Sequence, residues 1–184
     1  MKKILYILLL SLSINSYAFA CYDEKATDKE NFHNCEKQAK KGDAWDQTFL
    51  GIAYYQGQGT IQDYKEAIKW YTKAAEQGNG LAQFNLGLMY AQGKGTIQDY
   101  KEALKWYTKA AEQGNTLAQR NLGLMYATGK GATQDYVLAH MYNNISAANG
   151  DKKAIKIRDL LSKQMTSSQI EEAQRLAREW MDSH

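Results

Sequence analysis

Apolar side chains recur along this chain at the spacing of α-helices, and the same pattern returns every 36 residues. Between Ala67 and Ala75 the apolar positions fall at i, i+3, i+4, i+7 and i+8, which places them on one face of a helix. Asp63 stands where an N-cap is expected, and Glu66 completes the pattern of a capping box. Gly78 is placed to end the helix. The segment therefore predicts an amphipathic helix with defined ends.

A second helix with a narrower apolar stripe completes each 36-residue unit. Ala82, Leu86 and Tyr90 share one side of this helix, and Gly87 leaves room for a neighbouring helix to approach closely. Glycine pairs mark the turns between the two helices of a unit: Gly57 with Gly59, and Gly93 with Gly95. Each unit therefore predicts an antiparallel helix pair.

The copies are nearly identical in sequence. Residues 60–79 and 96–115 differ at one position, where Ile68 is replaced by Leu104. A third copy follows, and a half copy precedes the first. One helix pair buries too little apolar surface to be stable alone, so successive pairs must stack around a shared core. We predict an all-α solenoid of antiparallel helix pairs, with about nine helices between residues 28 and 181.

This pattern resembles the Sel1-like repeat family, whose 36-residue units are relatives of tetratricopeptide repeats. The resemblance rests on the motif A-x-x-x-L-G-x-x-Y-x-x-G-x-G at residues 82–95. It continues through Q-D-Y-x-x-A-x-x-W-Y-x-x-A-A-x-x-G at residues 98–114. The resemblance implies three full repeats, at about residues 43–79, 80–115 and 116–151.

Both ends of the array depart from the full repeat. We assign residues 21–42 to an N-terminal segment with a half repeat, and residues 152–184 to C-terminal capping helices. Thr166 with Gln169 predicts the start of the last helix. In the third repeat Tyr142 and the residue after it stand where Trp106 and a tyrosine would be expected.

The first twenty residues predict a secretory signal peptide. Lys2 and Lys3 precede an apolar run that is too short to span a bilayer, and Ala18-Phe19-Ala20 has the small-x-small pattern of a cleavage site. Cleavage after Ala20 removes two lysines and no acids, so the formal charge falls from +3 to +1, with 21 basic and 20 acidic residues. A nearly neutral chain argues against a nucleic-acid partner. We expect no transmembrane segment in the mature chain and a periplasmic or secreted location.

Cys21 would be the first residue after cleavage, and two fates are open to it. Bacterial lipoproteins carry a lipid on a cysteine in this position, although Ala18 and Phe19 match their signal poorly. Cys35 is the only other cysteine, and an exported protein with two cysteines most simply forms one disulfide. We predict the Cys21–Cys35 disulfide, with a lipid anchor on Cys21 as the alternative.

The chain offers few candidates for catalysis or metal binding. The loop from Gly93 to Gly95 lacks the preceding strand and the third glycine of a phosphate-binding loop. His33, His140 and His184 are dispersed and lack metal-ligand spacing. Some secreted relatives of the family that this chain resembles are described as β-lactamases, but no serine here has a lysine three residues later. We predict no enzyme, no cofactor and no metal site, and keep a β-lactamase-like enzyme as a further alternative.

Positions that differ between the near-identical copies are candidates for contact with a partner. Thr48, Phe84 and Arg120 occupy one repeat position on the first helix of each pair, which lines the concave side in similar solenoids. Phe84 would act as an apolar anchor and Arg120 as a charge-assisted contact. Tyr55 stands opposite alanines in the other copies and would join this stripe. Sequence drift on a solvated face would explain the same differences without a partner.

These observations predict an exported, non-catalytic module that binds another protein in the bacterial periplasm. Preformed helices would present its side chains with little loss of entropy on binding. The family that this chain resembles implies two versions of this function. One is an adaptor in an envelope or signalling assembly. The other is an immunity protein that binds and neutralises a secreted antibacterial effector, such as a phospholipase, and the sequence does not choose between them.

Overall fold

A computed structural model describes residues 21–184, and the predicted signal peptide at residues 1–20 lies outside the described residues. Residues 21–184 form nine helices and no strand, which confirms the predicted all-α solenoid. The bounds are α1 (Asp28–Ala39), α2 (Ala44–Gln56), α3 (Tyr64–Glu76), α4 (Gly80–Gln92), α5 (Tyr100–Glu112), α6 (Thr116–Thr128), α7 (Tyr136–Ala148), α8 (Lys152–Ser162) and α9 (Ser167–Ser183). We call α2, α4, α6 and α8 the A helices, and α1, α3, α5 and α7 the B helices.

The helix starts follow from the predicted N-caps, with one correction. The Asp63 carboxylate accepts hydrogen bonds from the first-turn N–H groups of Lys65 and Glu66, as an N-cap does. The predicted capping box is incomplete, because Glu66 pairs with Lys69 at 3.1 Å while the Asp63 N–H donates to the Tyr54 carbonyl. At the start of α9, by contrast, Thr166 and Gln169 form both bonds of the predicted box.

Glycines set the distances between neighbouring helices at two kinds of position. Gly87 lies within α4, where a Cβ atom would come within 2.8 Å of the Tyr107 ring, so the predicted close approach of a neighbouring helix is confirmed. Gly95 lies in the turn after α4 with a φ of +73°, and a Cβ there would be 2.7 Å from the backbone of Tyr64. The turn of one pair therefore rests directly on the start of the preceding B helix.

A shared apolar core joins successive helix pairs. Trp106 of α5 is buried in one cluster with Ala75 of α3 and with Ala82 and Met89 of α4. In the pair before it, Trp70 packs in the same way with residues of α1 and α2. Each tryptophan therefore inserts between its own pair and the preceding one, as the stacking argument requires.

A ladder of buried amides also crosses the stacked pairs. Gln83 of α4 donates to the carbonyl of Ala75 at the end of α3 (3.1 Å) and accepts from the side chain of Gln113 at the end of α5 (2.7 Å). The same two bonds recur 36 residues earlier at Gln47 and 36 residues later at Gln119. We call Gln47, Gln83 and Gln119 the amide ladder. It fixes three successive A helices to the ends of their neighbouring B helices.

The outer face of α7 differs from those of α3 and α5, and α9 covers it. The two earlier helices carry matching columns of exposed lysines: Lys65, Lys69 and Lys73 in α3, and Lys101, Lys105 and Lys109 in α5. At the same repeat positions α7 has Val137, Met141 and Ile145. Met141 and Ile145 are buried against Ala177 and Trp180 of α9. The exchange of lysine for apolar residues thus determines which B helix the last helix packs on.

Candidate interaction surface

The structure places Thr48, the first residue of the predicted partner stripe, in the core. Its side chain has no solvent exposure, and its hydroxyl donates to the Ala44 carbonyl at 2.7 Å within α2. The prediction that this position faces solvent or a partner is therefore wrong. Threonine is tolerated there because its own helix satisfies its hydroxyl.

The other three stripe residues are partly exposed, but they already make contacts within the chain. The Tyr55 hydroxyl accepts a hydrogen bond from Lys94 at 2.7 Å. The Phe84 ring packs on Tyr107 with 5.9 Å between centroids. Arg120 forms an ion pair with Asp151, the N-cap residue of α8. Their role in partner binding remains a prediction, and each of them also contributes to packing between helices.

A different set of side chains forms an exposed apolar row on the A helices. The A helices begin 36 residues apart, so residues at the same repeat position occupy equivalent places on successive helices. One such position is aliphatic in all four A helices. We call Ile52, Leu88, Leu124 and Leu160 the aliphatic row. Leu124 is 49% exposed and Leu160 is 60% exposed, while the two earlier members are half-buried.

The same side of the A helices carries further apolar residues two turns earlier. Trp45, Leu81 and Leu117 lie seven residues before the first three members of the row, which places them on the same side of each helix. Leu117 is 44% exposed, and the Trp45 ring stacks on Phe49. We call the surface formed by these seven residues the A-helix face.

Charged side chains contribute little to this face on the first three A helices. Helix α4 contains no charged residue, α2 contains only the buried Asp46, and α6 contains only Arg120, which is paired with Asp151. Helix α8 differs, because it carries Lys152, Lys153, Lys156, Arg158 and Asp159, and Lys153 occupies the repeat position of Leu117. The lysine columns belong instead to the B helices. The first three A helices therefore provide an uncharged, largely apolar surface that ends at the cationic helix α8, and this surface suits contact with another apolar surface better than with a polyanion.

The sequence signal for this face lies in a position that stays aliphatic between copies, whereas the predicted partner stripe was based on positions that differ. The residues of the row lie off the narrow stripe of Leu86 and Tyr90, although Ile52 also packs against the core. They nevertheless stay aliphatic at every 36-residue step. An apolar position that recurs off the buried stripe is the pattern to look for in such repeats.

The side chain of His140 in α7 is buried and contacts a serine hydroxyl of α8. Its Nε2 lies 3.1 Å from Ser162 Oγ, and that hydroxyl donates to the Arg158 carbonyl at 3.0 Å. Because the hydroxyl proton is already used, Nε2–H is the donor in this pair. Within residues 21–184, His140 Nδ1 has no hydrogen-bond partner. In this pair the histidine donates a hydrogen bond to the serine, whereas a catalytic histidine accepts the serine proton. Among the described residues no carboxylate orients the ring, so the pair does not have the arrangement of a catalytic triad.

Burial of His140 predicts a measurable pH dependence of stability. Loss of solvation and the nearby Arg158 lower its pKa below the ordinary value, while Asp159 acts in the opposite direction. Below about pH 6.5 the unfolded chain therefore binds a proton at this histidine more readily than the folded chain does. The free energy of unfolding consequently falls as the pH decreases, by up to about 1.4 kcal/mol per pH unit. Urea unfolding from pH 7.5 to 5.5 should show a steeper loss in the native sequence than in His140→Gln. Equal slopes would contradict this assignment.

Within residues 21–184 no group of three histidine, cysteine, aspartate or glutamate side chains is placed to hold a metal ion. None of the described helices has the length and hydropathy needed to cross a membrane.

Solved structures with similar folds carry the same type of repeat. A protective antigen present in uropathogenic Escherichia coli strains, which displays an SLR fold, is 35% identical over 88% of this chain, with a TM-score of 0.80. A Sel1 repeat protein from Oxalobacter formigenes is 32% identical over 86% of this chain, with a TM-score of 0.69. The chain spans 36% of the first protein and 66% of the second.

A third structure is similar in fold alone. Helicobacter pylori cysteine rich protein B is 21% identical over 72% of this chain, with a TM-score of 0.59. No curated protein matches the chain in sequence. The Sel1 repeat family itself matches at residues 47–79, 80–115 and 116–151, which together make up more than half of the sequence. The periodic helix pairs, the glycine turns and these matches together show that the chain belongs to the Sel1 repeat family.

Proposed function

We propose that this protein is exported and acts as a non-catalytic interaction module that binds another protein through the A-helix face. Sel1 repeat proteins typically mediate protein–protein interactions. The observation that carries the proposal is the aliphatic row, because Leu124 and Leu160 remain about half exposed at matching places on successive A helices. Exposed apolar patches mark interaction sites in soluble proteins.

The rigid core beneath the face supports this function. The amide ladder and the inserted tryptophans hold the A helices in fixed positions relative to one another. A partner would therefore meet side chains that are already arranged, and little conformational entropy would be lost on binding. The contact area near the centre of the row, at Leu88 and Leu124, is expected to contribute most.

Export is supported by the disulfide between Cys21 and Cys35. Disulfides form and persist mainly in oxidising compartments such as the periplasm. The pairing favours the disulfide over the lipid anchor, because the same sulfur cannot carry both. Mass spectrometry of the protein isolated from the periplasm would find a chain that begins at Cys21, without a lipid, and is two mass units lighter than its reduced form.

The binding surface is tested by placing a charge in the centre of the row. Leu124→Asp is expected to weaken binding to the partner at least tenfold, because a carboxylate would have to be desolvated in an apolar contact. The partner is first captured from periplasmic extract and identified, and its affinity for purified protein is then measured by titration calorimetry. Phe84→Ala in the same assay tests one of the three stripe residues whose role remains a prediction.

Ile97→Asp is the matched control for Leu124→Asp. Ile97 is 88% exposed in the turn before α5, and it lies outside the A-helix face. The control should bind like the native protein, and both variants should unfold at similar temperatures because both positions are exposed. Normal binding by Leu124→Asp would show that the partner does not bind at the proposed surface. The partner's identity separates the two versions of the function: an envelope or signalling component supports an adaptor, and a secreted effector supports an immunity protein.

A further inference from the structure

The last donor of the amide ladder differs from the first two. We call each ladder glutamine, together with the side chain that donates to it from the end of a B helix, a rung. In the first two rungs the donor is itself a glutamine, Gln77 or Gln113, and each bond is 2.7 Å long. In the third rung Asn149 donates to Gln119 at 3.1 Å. All three donors cap the end of a B helix, and a glycine follows each of them.

The shorter side chain of Asn149 makes a reaction possible that the two glutamines do not undergo readily. The backbone nitrogen after an asparagine can attack the side-chain carbonyl carbon and close a five-membered succinimide ring, whereas glutamine would have to close a six-membered one. Glycine in the next position favours the attack, because it lacks a Cβ and its backbone is free to rotate. Gly150 follows Asn149, and both residues are exposed. The third rung therefore combines a structural hydrogen bond with a reactive dipeptide.

We propose that Asn149 is a site of spontaneous deamidation, which removes the third rung of the ladder. The Gly150 nitrogen loses its proton to solvent and bonds to Cγ of Asn149, and the side-chain amide leaves as ammonia. Water then opens the succinimide at either of its carbonyl carbons, which leaves an aspartate or an isoaspartate. The net change consumes one water, releases one ammonia and adds a negative charge. The reaction needs no reagent besides water, and solvent reaches both residues.

Two hydrogen bonds restrain the reacting groups in the folded chain. One is the bond from Asn149 to Gln119, and the other joins the Gly150 N–H to the Ala147 carbonyl at 3.0 Å. Both lie at the exposed end of α7, and helix ends open with a smaller free energy than the core does. Local opening of this turn, without global unfolding, therefore sets the rate of the reaction.

A second Asn-Gly pair in the chain is protected by the fold. Asn79 is the N-cap of α4, and the residue is only 7% exposed. Its side-chain oxygen accepts a hydrogen bond from the Ala82 N–H at 2.9 Å, and Gly80 is the first residue of α4. Attack by the Gly80 nitrogen would require the start of this helix to open. The same dipeptide should therefore react more slowly at Asn79 than at Asn149.

Deamidation would break the third rung because a carboxylate has no proton to donate. The Gln119 amide nitrogen is already bonded to the Ala111 carbonyl at 3.3 Å, so Gln119 presents its oxygen to residue 149. The new carboxylate would face this oxygen, and it would lie at the C-terminal end of α7, where the helix dipole disfavours negative charge. An isoaspartate would also lengthen the backbone just before Asp151, the N-cap of α8. The junction between the third repeat and α8 would be weakened.

Peptide mapping by mass spectrometry tests the site. The purified, folded protein is incubated at pH 8, and the modified fraction at each asparagine is followed over time. Asn149 should react at least about fivefold faster than Asn79, because only the exposed turn opens readily. In urea the two sites should react at similar rates, which shows that the fold causes the difference. An Asn149 that reacts no faster than Asn79 in the folded protein would overturn the proposal.

The effect on the ladder is tested with the modified protein itself. Anion exchange separates it from the native form by its added charge, and its melting temperature should be lower by about 3 °C, as loss of one hydrogen bond predicts. Asn149→Gln is the matched control: it copies the first two rungs, so it should keep the native melting temperature and stay unmodified on incubation. Asn149→Asp supplies the aspartate product without the isoaspartate. If this variant and the separated form both melted like the native protein, the third rung would not be the contact that deamidation removes.

Discussion

Replacing Gly95 with alanine should lower the free energy of unfolding by about 4 kcal/mol. Two costs combine at this position. The backbone φ of +73° is unfavourable for an L-residue, and the new Cβ would lie 2.7 Å from the backbone carbonyl of Tyr64. Backbone atoms cannot rotate away as a flexible side chain can. The turn would have to separate from the start of α3, so contact between two helix pairs would be lost.

Gly114→Ala is the matched control, and chemical denaturation at neutral pH is the measurement. Gly114 has a similar φ of +78°, but a Cβ there would meet nothing within 4 Å. Alanine at this position should cost only the backbone term, about 1 kcal/mol. A similar loss in both variants would show that the contact with Tyr64 contributes nothing and that the backbone term accounts for both effects.

Replacing Gln83 with alanine should cost about 3 kcal/mol, because it removes the middle of the amide ladder. Its amide links α4 to the carbonyl of Ala75 and to the side chain of Gln113, and its residue is only 3% exposed. The substitution removes two hydrogen bonds and leaves a cavity. The loss should appear in equilibrium unfolding by urea.

The reference variant for the ladder is Gln92→Ala. Gln92 is the exposed last residue of the same helix, and its replacement should change the stability by less than about 0.5 kcal/mol. Gln83→Glu provides a further check, because it keeps the size of the side chain but removes the amide donor. If it were as stable as the native protein, the hydrogen bonds of the ladder would not be the source of the effect.

The helices could be predicted from sequence because their signals are local and repeat. The N-cap at Asp63, the glycine turns and the apolar spacing each act within a few residues, and the 36-residue period confirms every one of them more than once. The same regularity limits what can be inferred about side chains. In nearly identical copies, Gln83 in the core and Gln98 on the surface both recur in all three repeats, so recurrence alone does not reveal burial.

The partner stripe shows where reasoning from differences between copies fails. Thr48 and Arg120 differ from Phe84, which occupies the same repeat position, because the surroundings of the three residues differ. Thr48 satisfies its hydroxyl within its own helix, and Arg120 meets Asp151, which stands 31 residues further along the chain. A contact between residues as far apart in sequence as Arg120 and Asp151 depends on how the helix pairs stack, and the local sequence pattern contains no information about the stacking. The aliphatic row was accessible to sequence reasoning, because it requires only that an apolar position off the buried stripe be followed through four units.

The covered outer face of α7 has a consequence for how such a protein can change in length. Helix α9 packs on the apolar column of α7, and the corresponding columns of α3 and α5 are lysines that would not accept it. A further copy of residues 80–115 inserted within the array would therefore leave both ends as they are. It would add one rung to the amide ladder and one aliphatic residue to the row, and it would extend the A-helix face by one helix. Duplication of a 36-residue gene segment could in this way enlarge the binding surface in whole steps, without any change to the end of the array.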